Sequence, residues 1–226
     1  MEKTAPSPDP RQAAARRGRR LGFDRDAALE RALRLFWERG YEGTSVADLV
    51  AAMGITPPSL YTAFGSKEAL YRETLALYRA GPGRFAFRAL EEEPTARAAV
   101  ARILREAAAA YCDRSLPGGC MIAGAVLACA PEHGPVARSV AEMRSGAVAA
   151  IAGRIARGIA AGELPAGTDA TALARFYGAV IQGMSVQARD GAGPDALAAI
   201  AEQAMAAWPP PSPSSPSPSS PASSSS

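Results

Sequence analysis

The sequence predicts an all-α protein, and three observations predict it. Alanine, the best helix former, is the commonest residue, while aromatic residues are only 6% and β-branched residues are sparse. Between Asp24 and Trp208 the apolar residues recur at helical rather than alternating spacing. Helix-starting and helix-stopping residues punctuate that pattern throughout. Apolar residues make up 48% of the 226 residues, enough for a core that needs no staples and too many for wholesale disorder.

The first helix is expected from a cap at Asp24 to Arg39. Leu29, Ala32, Leu33, Phe36 and Trp37 share one stripe, and Gly40 sits where a left-handed residue ends a helix. Thr44 or Ser45 starts the second. Ser45 with Asp48 resembles a capping box that has Asp in place of Glu. Val46, Leu49, Val50 and Met53 form its apolar face, and Gly54 stops it. A third, short helix opens with Thr56 as cap and Pro57 in the first turn, where a missing N–H costs nothing. It points Leu60 and Phe64 inward and ends at Gly65. Ser66 caps a fourth, with Leu70, Thr74, Leu77 and Tyr78 along one side.

Gly81–Pro82–Gly83 breaks the chain and is read as the boundary between domains at 23–80 and 81–208. Beyond it, Thr95 begins a helix to about Arg114, and Pro117–Gly118–Gly119 makes a turn. An apolar helix is then expected from Cys120 to Ala130, and a long one from Pro131 or Pro135 to about Ala161. Gly162 to Gly167 is a loop. Asp169 caps a helix to about Arg189, and Pro194 starts the last, ending near Trp208. Residues 1–22 and 209–226 are expected to be disordered: the first is a basic arm without apolar periodicity, the second holds only Pro, Ser and Ala222.

The net charge of +3 sits in the first third of the chain. Residues 1–80 carry 13 basic and 10 acidic side chains, and residues 81–208 carry 12 of each. Arg11, Arg16, Arg17, Arg19 and Arg20 crowd together with no acid among them, which suits either a solvated arm or a phosphate-rich partner. Enzyme chemistry finds no support. His133 is the one histidine, expected in a loop between Pro131 and Pro135, so no Ser/His/Asp set can be assembled without it. Glu91, Glu92 and Glu93 form a surface run, and neither a phosphate loop nor a dinucleotide fingerprint is present. Cys112, Cys120 and Cys129 cannot all pair within one chain and match no zinc spacing. Reduced thiols in a cytoplasmic protein are the simplest reading, with no metal or cofactor. These thiols read as small buried hydrophobes or, alternatively, as a redox switch. The longest apolar run, Cys120 to Ala130, is too short to span a bilayer, and the first residues lack the apolar stretch of a secretory leader. No membrane association is expected.

The informative unit runs from Thr44 to Lys67. Two short helices flank a tight turn containing Gly54, with Ile55 just after it, which fits an ordinary helical hairpin or a helix-turn-helix. Residue content separates the two. The outward positions of the short helix, Thr56, Pro57, Ser59, Tyr61, Thr62 and Ala63, are small or hydroxyl-bearing, with no acid among them. A helix facing only water would carry Glu and Lys there, whereas one pressed against a phosphate-lined groove avoids carboxylates. Tyr61 and Lys67 lie where they can flank such a groove, and the free N–H groups at these helix starts favour anions.

The stretch Phe23–Asp24–Arg25–Asp26–Ala27–Ala28–Leu29, then Phe36, Gly40–Tyr41–Glu42–Gly43–Thr44–Ser45–Val46–Ala47–Asp48–Leu49 and Gly54–Ile55–Thr56–Pro57–Pro58–Ser59–Leu60–Tyr61–Thr62–Ala63–Phe64–Gly65–Ser66–Lys67–Glu68–Ala69–Leu70 resembles the DNA-binding domain of TetR-type transcriptional regulators. Ala63 departs from the family pattern, because many members carry His there. The resemblance implies an N-terminal three-helix helix-turn-helix domain and a C-terminal helical domain for ligand binding and dimerisation. It implies that Thr56–Phe64 is a recognition helix for the major groove, with Pro57, Ser59 and Thr62 nearest to base edges. Thr44, Ser45, Tyr61 and Lys67 would anchor the DNA backbone, with Thr56 capping the helix that reads it. Arg17, Arg19 and Arg20 resemble the minor-groove arms of other DNA-binding proteins.

The stripe Leu173, Phe176, Tyr177, Val180, Ile181 and Met184, and a second through Leu197, Ile200, Ala201, Ala204 and Trp208, fit intramolecular core or self-association. The resemblance favours the latter, with these last two helices of each subunit forming a four-helix dimer interface. A two-fold dimer suits a palindromic site. The remaining helices would enclose a cavity for an apolar small molecule, with Leu104, Ala108, Tyr111, Cys120, Met121, Leu127, Met143 and Phe176 as candidate lining. Close packing of alanine-rich helices is the alternative. The function expected is a dimeric repressor released from a palindromic double-stranded operator by such a ligand. The alternative is a thiol-based redox-sensing regulator.

Overall fold

A computed structural model describes residues 22–127 and 129–210. The described residues form nine α-helices and no strand. The chain divides into two compact units, Met1–Arg79 and Ala80–Ser226.

The first unit holds α1 (Arg25–Arg39), α2 (Val46–Met53), α3 (Pro57–Phe64) and α4 (Lys67–Ala80). Its boundaries are set by side chains that capture the orphan N–H groups of each first turn. Asp24 accepts from the Asp26 and Ala27 N–H groups at the start of α1. Ser45 and Asp48 form a complete capping box on α2. Thr56 caps α3 with Pro57 behind it, and Ser66 accepts the Ala69 N–H at 3.0 Å to start α4. Each of these caps stands where the sequence places it. The helices close on one core of Ala32, Phe36, Leu49, Met53, Leu60, Phe64, Leu70, Tyr71 and Leu75. Edge-on rings bind α1 to α4, with Phe36 and Tyr71 centroids 4.9 Å apart and Trp37 and Tyr78 also 4.9 Å apart.

The second unit holds α5 (Phe85–Glu92), α6 (Ala96–Tyr111), α7 (Gly134–Ala160), α8 (Ala170–Arg189) and α9 (Pro194–Ala206). Helix α6 runs through its centre and packs against the other four. Its buried face is Ala96, Ala99, Val100, Ile103, Leu104, Ala107, Ala108 and Tyr111. The alanines bring neighbouring backbones close. At Gly158 of α7 a Cβ would stand 2.9 Å from the Ala96 Cβ. Beside that crossing, Glu163 accepts the Ala96 N–H at 2.6 Å and pairs at 3.6 Å with the buried Arg154. Tyr177 of α8 donates its hydroxyl to the Ala204 carbonyl of α9 at 3.1 Å, and burial pushes the phenol up to about 12.

Two elements differ from expectation. Phe85–Glu92, where the sequence predicts no element, is helix α5, held by Ala89 and Leu90 in the core. The segment from Cys120 is a series of turns and not a helix, followed by a 3₁₀ turn at Pro131–His133. The backbone explains why. Gly119 and Val126 both have positive φ, 68° and 49°, which no right-handed helix accommodates. The carbonyls of Ile122 and Ala125 are met instead by Arg144 from α7, at 3.2 and 2.8 Å. Among the described residues no helix is long and apolar enough to cross a membrane.

Candidate nucleic-acid interface

The turn between α2 and α3 is made by Gly54, whose left-handed backbone (φ 69°) ends α2. Arg31 of α1 donates to the Met53 carbonyl at 3.0 Å, satisfying the end of that helix. Ile55, after the turn, is half-buried. Leu60 and Phe64 seat α3 in the core, which turns the opposite face out. Pro57, Pro58 and Thr62 are exposed, Ser59 is half-buried, and Tyr61 is 51% exposed. No residue of α3 carries a carboxylate, ammonium or guanidinium.

The hydroxyls on this face are locally engaged. Thr56 Oγ1 and Ser59 Oγ lie 2.9 Å apart, and the Ser59 N–H donates to Thr56 Oγ1. Thr62 Oγ1 donates to the Pro58 carbonyl at 2.8 Å. Around the helix stand fixed cations. Lys67 Nζ lies 4.2 Å over the Tyr41 ring. Burial draws the Lys67 pKa below the ordinary lysine value, partly countered by Glu42. Arg25 donates to the Ala63 carbonyl at 3.3 Å, pairs with Glu73 at 2.8 Å and stacks 4.4 Å over the Phe64 ring. It thereby clamps the carboxyl end of α3 to α4.

Pro57, Ser59, Tyr61, Thr62 and Lys67 thus lie on or beside the exposed side of the turn. Ser45 is exposed but serves as the α2 cap. Thr44 corrects the sequence reading: its side chain is fully buried and donates to the Gly40 carbonyl at 2.7 Å, so its hydroxyl cannot reach a phosphate. Arg17, Arg19 and Arg20 lie outside the described residues. Sequence reasoning missed Arg25 and Arg31. They grip carbonyls 38 and 22 residues away, and no local pattern marks such a residue.

In the second unit the candidate ligand residues do not form one set. Leu104, Ala108, Tyr111 and Met121 are buried, and Cys120 and Met143 are half-buried. Leu127 is 71% exposed and Phe176 42% exposed, both turned outward and not into the interior. The candidate dimer residues divide as well. Tyr177, Met184 and Leu197 are fully buried within the unit's own core, as Ala204 and Trp208 nearly are. Leu173, Val180, Ile181 and Ile200 are partly buried. Phe176, Val180, Ile200 and Ala204 line an open groove of 420 Å³ between α8 and α9.

Comparisons with known proteins agree with this layout. Residues 28–74 match the family model described as bacterial regulatory proteins, tetR family, and residues 96–205 match the tetracyclin repressor-like C-terminal domain. The HTH-type transcriptional repressor ComR of Escherichia coli K12 is 36% identical over 197 residues, covering 85% of this chain and 92% of that one. The repressor BdcR of the same organism is 31% identical over 188 residues, covering 83% and 90%. A cysteine mutant of the TetR family transcriptional regulator CifR, solved with 26-bp double-strand operator DNA, superimposes with a TM-score of 0.82. It is 46% identical, covering 85% of this chain and all of that one. With helices, caps and turn in place and both units matched, the chain belongs to the tetR family of bacterial regulatory proteins, as a helix-turn-helix DNA-binding transcriptional regulator.

Proposed function

We propose that the protein is a cytoplasmic, dimeric repressor that binds a palindromic operator and leaves it when an apolar small molecule binds the second unit. The observation that carries the DNA reading is the exposed face of α3, free of acids and framed by Tyr61 and Lys67. It belongs to a chain whose relative CifR has been solved on operator DNA. Lys67 and Tyr61 anchor phosphates, while Pro57, Ser59 and Thr62 meet base edges. Two copies, joined through the apolar groove of α8 and α9, place one α3 on each half-site. A ligand that prefers the state unable to span both half-sites shifts the population away from DNA. The test is selection of duplexes from a random pool by the full chain. A palindromic consensus whose affinity falls steeply with salt is expected, whereas no enrichment would refute the reading.

A second reading, a thiol-responsive regulator, has one observation behind it. Cys120 is half-buried and its sulfur accepts the Ile122 N–H at 3.4 Å, while its own N–H donates to Ser185 of α8 at 2.8 Å. Modification of this thiol would therefore act on the segment that holds α8. Thiol titration of the native protein decides: a Cys120 that reacts only after unfolding removes this reading.

A further inference from the structure

We propose that α3 reads its operator through the C5-methyl groups of thymine, with the Thr62 methyl and the rings of Pro57 and Pro58 as the reading surface. The inference rests on the operator-binding function proposed above and names the chemistry of that readout. In the major groove guanine is read by Arg or Lys, adenine by Asn or Gln, and the cytosine amino group by Asp or Glu. The sequence of α3, PPSLYTAF, contains none of these side chains. Its remaining polar side chains are Ser59, Tyr61 and Thr62; the Tyr61 phenol is assigned to the DNA backbone above, and the structure turns the other two hydroxyls back onto the helix and its cap. The Thr62 hydroxyl proton goes to the Pro58 carbonyl at 2.8 Å. The Thr56 and Ser59 hydroxyls pair with each other at 2.9 Å.

With its hydroxyl drawn back to the Pro58 carbonyl, the exposed Thr62 keeps its Cγ2 methyl as the side-chain group left for a base edge, on a helix whose first turn exposes Pro57 and Pro58. The thymine methyl is the feature of a base edge that such a surface can recognise, because it needs contact rather than a donor or acceptor. Ala63, which adds no polar group, is consistent with the same apolar readout.

The experiment compares three duplexes: one selected from a random pool by the full chain, the same sequence with deoxyuridine in place of every thymidine, and the same sequence with 7-deazaguanine in place of guanine. Loss of each contacted methyl is expected to weaken binding about fourfold, as expected for one buried methyl-sized group. The 7-deazaguanine duplex is expected to bind like the original. Thr62→Val, which keeps the methyl and removes the hydroxyl, is expected to retain the preference for thymine. Thr62→Ser, which keeps the hydroxyl and removes the methyl, is expected to lose that preference. Equal binding of the thymidine and deoxyuridine duplexes by the unmodified protein overturns the inference. So does a Thr62→Val protein that is folded by circular dichroism yet has lost its preference. Failure to select any duplex overturns the operator reading itself, and the two failures are thereby distinguished.

Discussion

Tyr61 turns half of its surface outward while Tyr41, Tyr71 and Tyr78 are buried in the same unit. In the proposed reading this phenol has the DNA backbone as its partner, and backbone contacts position without specifying. Tyr61→Ala is therefore expected to weaken binding to the selected duplex and to a scrambled one alike, by about 1 kcal/mol, as measured by fluorescence anisotropy. A change in sequence preference alone would contradict the role. Arg25 makes the opposite case. Its Nη2 is shared between the Glu73 carboxylate and the Ala63 carbonyl, so its charge is already paired and its expected role is to position α3. Arg25→Gln is expected to reduce operator affinity while leaving the slope of log affinity against log salt unchanged. A residue that contacts phosphate alters that slope by about 1. At this scale the sequence was an uneven guide. The exposure of Pro57, Tyr61 and Thr62 follows from the spacing of the buried Leu60 and Phe64 in a capped short helix. The burial of Thr44 does not, because it depends on where the Gly40 carbonyl points.

Among the elements, those with caps were legible, since capping is local chemistry written within four residues. Asp24, Ser45, Thr56, Ser66, Thr95 and Asp169 each start a helix where the sequence places one. The failures are elements decided at a distance. Helix α5, 8 residues long, has no side-chain cap to mark its start, so its stability comes from packing. The segment after Gly119 has helical composition, yet Arg144 takes its carbonyls from 22 and 19 residues away. The crossing of α7 with the start of α6 is equally invisible to a local window. There Gly158 faces Ala96, Glu163 and Leu164, each within about 3 Å of the position a Cβ would take. Gly158→Ala gains in helix propensity but forces three neighbours apart, and overpacking of that kind costs about 1–3 kcal/mol. The expected outcome is a lower unfolding midpoint in urea, whereas a midpoint unchanged or raised would show that the crossing has slack. Tyr177 marks the α8–α9 contact in another way. Its folded pKa, about 12 against an ordinary 10.0, means that the folded chain holds a proton the unfolded chain releases. Stability is therefore expected to fall as pH rises from 10 towards 12, a dependence that Tyr177→Phe should diminish in alkaline denaturation.

For the whole molecule the question is how many copies act together. The groove lined by Phe176, Val180 and Ile200 leaves apolar surface outward, with Phe176 42% exposed and Val186 of the same helix 49% exposed. Burying such a face is the ordinary route to a two-fold dimer. Phe176→Glu places a charge on that face at the loss of one ring contact, the edge-on packing of Phe176 against Tyr177 at 5.1 Å between centroids. It is expected to yield monomers in sedimentation velocity, with operator affinity lost and helical content kept. A dimer that survives would move the interface elsewhere. Family membership was readable from the chain because capped helices and a glycine turn leave fixed residues at fixed intervals. Which residues of the α8 stripe enter the core and which stay partly exposed was not, because one stripe holds both Tyr177 and Met184, which are buried, and Phe176, which is 42% exposed. The ion-free outer face of α3 has a last consequence. In the proposed reading grip comes from Lys67 beside this helix and from Tyr61, and address from the neutral residues Pro57, Ser59 and Thr62, so the two are separable in inheritance. Exchanging those three residues alone is expected to redirect the regulator to another promoter while leaving its hold on DNA almost as it was.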